Sequence, residues 1–220
     1  MVRIGVVLSG CGFLDGAEIY ESTLTLFFLD QAGADVTIMA PNITQHHVMN
    51  HLTQEVTEES RNVLVESARL ARGKIKDLAT IQADDLDGLI MPGGFGAAKN
   101  LSTIAFDGSK GAINSDLADL IQALHQAKKP IGAICIAPAV LSKALADRGI
   151  TLTIGNDSDT ANAIQTMGNK HQESSADNIV VDENNRIVST AAYMCAASIG
   201  EAGSGIEKLV NRIVAMAEKS

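Results

Sequence analysis

Four short, mostly apolar runs, "RIGVVLSG", "ADVTIMAP", "LDGLIMPGG" and "PIGAI", are rich in Val, Ile and Leu, and a stretch with helical spacing lies between each and the next. A strand with one wet face alternates apolar and polar residues. Near-continuous apolar runs instead mark strands covered on both faces, as in parallel sheets. The β and α alternation therefore predicts an α/β protein, a flavodoxin-like layered sandwich with a mostly parallel sheet and helices on both faces.

The helical stretches run from about Ala17 to Ala32, stopped by Gly33, then over "EESRNVLVESARLARG", "SDLADLIQALHQAKK" and "APAVLSKALADRG". Further on, "ITLTIG" reads as extended and "SDTANAIQTMG" as a helix that Asp157 or Ser158 caps. "NIVVDENNRIVST" has the two β runs and Asn-Asn turn of a hairpin, and "GIEKLVNRIVAMAEKS" closes the chain as a helix. The chain of 220 residues suits one domain, 1–220, with an excursion from the sheet at about 42–80, where a polar, His-containing stretch precedes a helix.

With 46% hydrophobic residues and no tryptophan, the core must be built from Ala, Val, Ile and Leu. A net charge of −9 without a basic stripe argues against nucleic acid or an anionic membrane as partner. The apolar runs are too short for a membrane span, and the first one lacks a signal-peptide cleavage site. Cys11, Cys135 and Cys195 are odd in number and irregularly spaced, which suits a reducing, cytoplasmic setting better than a disulfide framework.

Binding sites in open α/β sheets gather at the carboxyl ends of the strands. The loops "SGCGFLDG", "PGGFGAAKN" and "AICIAPA" all lie at such ends and should converge. Cys135 stands where a strand stops and a helix starts; the positive end of that helix would favour a thiolate, although a small buried hydrophobe is the commoner fate of cysteine. The Ile136 amide points into the same space. Gly94 would let its N–H approach an oxyanion formed on a substrate of Cys135, or it merely serves a tight turn.

Glu18 and Glu21 share one face at the start of the first helix, either as proton carriers near the thiol or as solvated partners of the helix dipole. His47 and His51 are one helical turn apart and His46 adjoins them, but no further Cys, Asp or Glu has ligand spacing nearby, so no metal is expected. His125 reads as structural. His171, in "GNKHQES", is the freer candidate for acid/base work. Cys11 reads as a spectator beside the site and Cys195, in "AYMCAAS", as core.

The motifs "GAEIYESTLTLFFLDQAGADV", "LIMPGGFGAAKNL" and "AICIAPAVL", in this order and at these separations, resemble the PfpI and class I glutamine amidotransferase-like superfamily. A narrower likeness, carried by "IGVVLSGCGFLDGAEI", "NHLTQE", "RNVLVESARLARGKI", "PGGFGAAKNLS" and "NIVVDENNRIVST", is to its bacterial glyoxalase branch, also described as enhancing lycopene biosynthesis. The resemblance implies that Cys135 is the nucleophile, that Glu21 hydrogen-bonds it, and that Gly94 and Ile136 form the oxyanion hole. Many relatives carry a histidine after the strand that follows the nucleophile's helix, whereas this chain has Gly155, Asn156 and Asp157 there. That departure argues against glutamine hydrolysis and leaves His171 as a substitute base from another loop.

The activity so implied is a cofactor-independent glyoxalase that turns glyoxal into glycolate, with a small dicarbonyl as substrate, and the resemblance favours a homodimer. The alternative is a redox-responsive or accessory binding protein whose Cys135 is oxidised to a sulfinic acid.

Overall fold

The computed structural model describes residues 1–218. In chain order its elements are β1 (Arg3–Val7), α1 (Ile19–Gln31), β2 (Asp35–Ala40), β3 (Met49–Asn50), β4 (Glu55–Val56), α2 (Val63–Leu70), β5 (Lys76–Asp77) and β6 (Gly88–Met91). Then come α3 (Phe95–Lys99), α4 (Ile104–Asp107), α5 (Ser115–Gln126), β7 (Ile131–Ile134), α6 (Ala137–Ala144), β8 (Thr151–Leu152) and α7 (Ser158–Thr166). The chain ends with β9 (Lys170–His171), β10 (Val180–Asp182), β11 (Ile187–Thr190) and α8 (Ile199–Ala217). The expected closing helix reached to Ser220, and its last two positions lie outside the described residues.

The main sheet has seven strands in the order β10-β11-β7-β6-β1-β2-β5. All neighbours are parallel except the β10–β11 hairpin at one edge. This is the flavodoxin-like α/β architecture. The apolar runs are buried on both faces for a simple reason: successive side chains point to opposite sides. Val7, Leu89, Met91, Ile131 and Ala133 join the core under α3, α5 and α6. Ile4, Val6, Ile90, Ile134 and Val188 join the core on the other face, with the buried side of α8 and Leu29 of α1.

The stretch from 42 to 80 leaves the sheet and comes back to it. It contains the β3–β4 hairpin and α2, and returns as β5, which pairs in parallel with β2 at the far edge. The helix expected over "EESRNVLVESARLARG" begins only at Val63, because Asn62 is extended and its side-chain oxygen accepts the Val65 N–H at 3.0 Å. "ITLTIG" does not join the main sheet: Thr151 and Leu152 pair with Lys170 and His171 in a separate two-stranded sheet.

α8 starts at Ile199, earlier than its expected start near Gly205. Of the glycines at 200, 203 and 205 in this helix, Gly205 is the one that close packing requires. A Cβ on Gly205 would sit 2.2 Å from the Ala176 carbonyl oxygen and 2.5 Å from Thr190 Oγ1. Only a bare backbone lets α8 lie that close to the end of β11.

Candidate active site

β1, β6 and β7 are neighbours in the sheet, so the loops at their carboxyl ends meet above it. Phe13 from the first loop, Gly94 and Phe95 from the second, and Cys135 and Ile136 from the third line one cavity of about 440 Å³. Glu18, Asp157, Thr160, Tyr193 and Met194 complete its wall.

Cys135 follows β7 directly and has φ of +61°, a left-handed conformation that costs a residue with a Cβ on the order of 1–3 kcal/mol and persists only where the surroundings enforce it. They do so here: its N–H donates to the Thr190 carbonyl at 2.9 Å at the end of β11, and α6 starts two residues later. The turn aims Sγ at the cavity while leaving the residue only 8% exposed. The backbone N–H groups of Gly94 and Ile136 both donate to Sγ. These are the two amides expected to form an oxyanion hole, and in the resting molecule they hold the sulfur.

Behind Cys135 lies Glu21, on the first turn of α1 and with no exposed surface. Its Oε2 accepts the Gly93 N–H at 2.9 Å and its Oε1 the Tyr193 N–H at 3.2 Å. Its carboxyl also hydrogen-bonds the Cys135 thiol. Gly93 is where the two groups come together: a Cβ there would lie 2.5 Å from Cys135 Cβ and 2.9 Å from Glu21 Oε2.

Electrostatics correct one expectation. The helix start was to lower the thiol pKa, yet Cys135 is pushed well above its ordinary value, first by burial and then by the Glu21 charge, and the two amides only partly offset this. Glu21 is raised to about 7, chiefly by burial and secondly by Glu18. Each charge disfavours the other, so a Cys135 thiolate is compatible only with a Glu21 that keeps its proton and donates a hydrogen bond to sulfur. A role for Glu21 in moving a substrate proton does not fit this placement, because no part of it reaches the cavity.

The structure keeps the remaining candidates apart from the thiol. His171 is not among the residues lining the cavity; it sits on β9 opposite Leu152, with Nε2 buried and without a hydrogen-bond partner. His47 and His51 are not one helical turn apart. His47 precedes β3, and His51 lies in the β3–β4 turn, edge-on to Phe13 at 5.5 Å. Among the described residues, no group of three or more His, Cys, Asp and Glu could hold a metal ion. Cys11 and Cys195 are partly exposed free thiols, so Cys195 is not a core residue as expected.

Tyr193, Met194, Asp157 and Thr160 were not anticipated as site residues. Asp157 was expected only as a helix cap, and it does accept the Thr160 N–H at 2.8 Å. Tyr193 follows β11, and the rule that sites gather at strand ends could have found it.

A strained cysteine at the end of an inner strand, with two backbone amides on its sulfur and a buried glutamate behind it, defines a class of α/β proteins built around one thiol. Residues 11–198 match the DJ-1/PfpI family, and the chain belongs to that family. It is similar to human glutamine amidotransferase-like class 1 domain-containing protein 3, mitochondrial, at 43% identity over 99% of this chain and 84% of that one. The zebrafish (Danio rerio) ES1 protein, mitochondrial, is 34% identical over 87% of this chain and 77% of that one. Among solved structures, an isoprenoid biosynthesis protein with an amidotransferase-like domain from Ehrlichia chaffeensis superposes with a TM-score of 0.90. It is 38% identical, covering 97% of this chain and 99% of that one.

These relatives correct the expectation of a cytoplasmic protein, since both curated ones are named mitochondrial. The cysteine argument could not have made the distinction. Unpaired thiols separate reducing from oxidising compartments and say nothing about which reducing compartment it is.

Proposed function

We propose that this protein is a cofactor-independent glyoxalase of the ElbB type, converting glyoxal to glycolate on Cys135. The observation that carries the reading is the pair of N–H groups, Gly94 and Ile136, on a cavity-facing sulfur backed by Glu21. A hydrogen bond from a Glu21 that keeps its own proton stabilises the nucleophile as thiolate. Addition of that thiolate to one aldehyde moves negative charge from sulfur to oxygen, close to the same two amides. The hemithioacetal then isomerises to a glycolyl thioester, and water releases glycolate and the free thiol. The dicarbonyl supplies its own oxidant and reductant.

The cavity is roomier than glyoxal needs, so larger 2-oxoaldehydes and glycated thiols or amines fit the same chemistry. A link to isoprenoid biosynthesis, implied by the resemblance, is supported by the description of the Ehrlichia protein. A homodimer is supported by an apolar face on α1, where Ile19, Tyr20 and Phe27 are 42%, 52% and 51% exposed. The test of the activity is glycolate formation from glyoxal by the purified protein, and its absence sinks the reading.

A redox-sensing Cys135 is the second reading, favoured by the same donors: a protonated Glu21 and two amides would hold the oxygens of a sulfinic acid formed by peroxide. Oxidation without turnover distinguishes it.

A further inference from the structure

Converting the hemithioacetal to a thioester requires a proton to leave the carbon bonded to sulfur and a proton to reach the neighbouring carbon. A group that touches substrate must move it. Glu21 is excluded by burial: it has no exposed surface, and both its oxygens are held by backbone N–H groups. The titratable side chains that line the cavity besides Cys135 are Glu18, Asp157 and Tyr193.

These three differ in what they can do. Burial and the nearby Glu18 charge raise the Tyr193 phenol above its ordinary value, so it stays protonated and is no base near neutral pH. Asp157 is exposed, and its carboxylate is held by Thr160, which lowers its pKa and its basicity. Glu18 is half-buried, and that burial raises its pKa. Its place is rigid: Oε2 accepts the Glu21 N–H at 2.6 Å, and its own N–H donates to the Gly93 carbonyl at 3.0 Å. A Cβ on Gly94 would lie 2.4 Å from the Glu18 nitrogen, so the loop carrying the oxyanion amide and the residue carrying this carboxyl are packed backbone to backbone.

We propose that Glu18 is the catalytic base, taking the C1 proton of the Cys135 hemithioacetal and returning it to C2. The assignment rests on the glyoxalase reading. In the balanced sequence, the Cys135 S–H adds across the C1 carbonyl to give S–CH(OH)–CHO. The Glu18 carboxylate takes the C1 hydrogen as a proton, and the electron pair of that bond forms the C1–C2 double bond of an enediolate. The C1 hydroxyl proton passes to the C2 oxygen and the Glu18 acid protonates C2, giving S–CO–CH2OH with C1 oxidised and C2 reduced. Water cleaves the thioester and restores the thiol. Glu21, acting through sulfur, is a positioning residue.

The experiment measures glycolate formation across pH and iodoacetamide alkylation of Cys135 for the parent, Glu18→Gln and Glu18→Asp. Glutamine keeps an oxygen for the Glu21 N–H but cannot carry a proton. Its turnover should fall roughly 10²- to 10⁴-fold, with alkylation within about two-fold of the parent. The acidic limb of the pH–rate profile, where Glu18 loses its charge, should vanish in Glu18→Gln and persist at a lower rate in Glu18→Asp. Glu21 and Tyr193 feel the Glu18 charge, Tyr20 acts on Tyr193, and Asp157 and Cys135 line the same cavity; all are unchanged in both variants. Turnover by Glu18→Gln within about three-fold of the parent overturns the assignment. So does a parallel loss of alkylation, or an acidic limb that survives in Glu18→Gln. A parent that makes no glycolate overturns the glyoxalase reading and the role of Glu18 with it, whereas an active parent with an indifferent Glu18→Gln overturns the Glu18 role alone.

Discussion

The Gly93 N–H donates to Glu21 Oε2 at 2.9 Å across 72 residues of sequence, at a point where a Cβ would collide with both Glu21 and Cys135. Gly93→Ala should therefore displace the thiol and its acid together. A shift of about 1 Å in a reacting group can cost roughly 10²-fold in rate. Glyoxal turnover and Cys135 alkylation should both fall by about that factor while the helical circular-dichroism signal stays. Full activity in Gly93→Ala would mean that the loop has more room than this contact allows.

Cys135→Ser should lower glyoxal consumption by roughly 10³-fold or more, because a hydroxyl at its ordinary pKa cannot replace a thiolate. Cys11→Ser and Cys195→Ser should retain most activity, since neither thiol lines the cavity. Steady-state rates on the three purified variants check this.

Glu21 gives the fold a pH dependence whose sign follows from its shift. In the unfolded chain it ionises near 4.5, and in the fold near 7, so the fold prefers the neutral acid. Its contribution is intact below about pH 4.5 and is lost as pH rises through about 7, a change of roughly 3 kcal/mol. Glutamine at 21 has one acceptor oxygen for the two N–H groups of Gly93 and Tyr193, so Glu21→Gln should be less stable than the parent at low pH. The diagnostic is the slope: denaturant unfolding from about pH 5 to pH 8 should show stability falling in the parent and staying flatter in Glu21→Gln. Parallel curves would refute a neutral Glu21.

Glutamine should not be hydrolysed at a useful rate, because none of the residues lining the cavity is a histidine that could activate the thiol and protonate ammonia. Ammonia release that disappears in Cys135→Ala would show otherwise. His171→Ala should leave the pH–rate profile for glyoxal unchanged.

Phe27→Glu should shift the protein from dimer to monomer in sedimentation velocity, since it places a charge on the exposed apolar face of α1. A parent that sediments as a monomer rules out the homodimer.

Much of this molecule was legible in its sequence where the cause is local. "PIGAI" followed by "CIAPAV" reads as strand, turn and helix because residue type and Pro138 act over a few positions, and the structure has β7, Cys135 and α6 there. The start of α8 was misread because glycine is a helix breaker locally and a packing device when β11 and Ala176 press against it. Glu21 was visible as a carboxyl near the thiol, but its two backbone partners come from positions 93 and 193, so its seclusion could not be seen.

The sequence by itself determined the layered α/β sheet, the strand ends that carry the site and the cysteine at the turn, since periodicity and turn chemistry are properties of neighbouring residues. Only the tertiary structure decided which carboxyl is sealed behind sulfur and which lines the cavity, that His171 stays outside the cavity, and that burial outweighs the helix start in setting the pKa of Cys135. Those outcomes depend on desolvation and on contacts between distant segments, which exist only once the chain has closed around them.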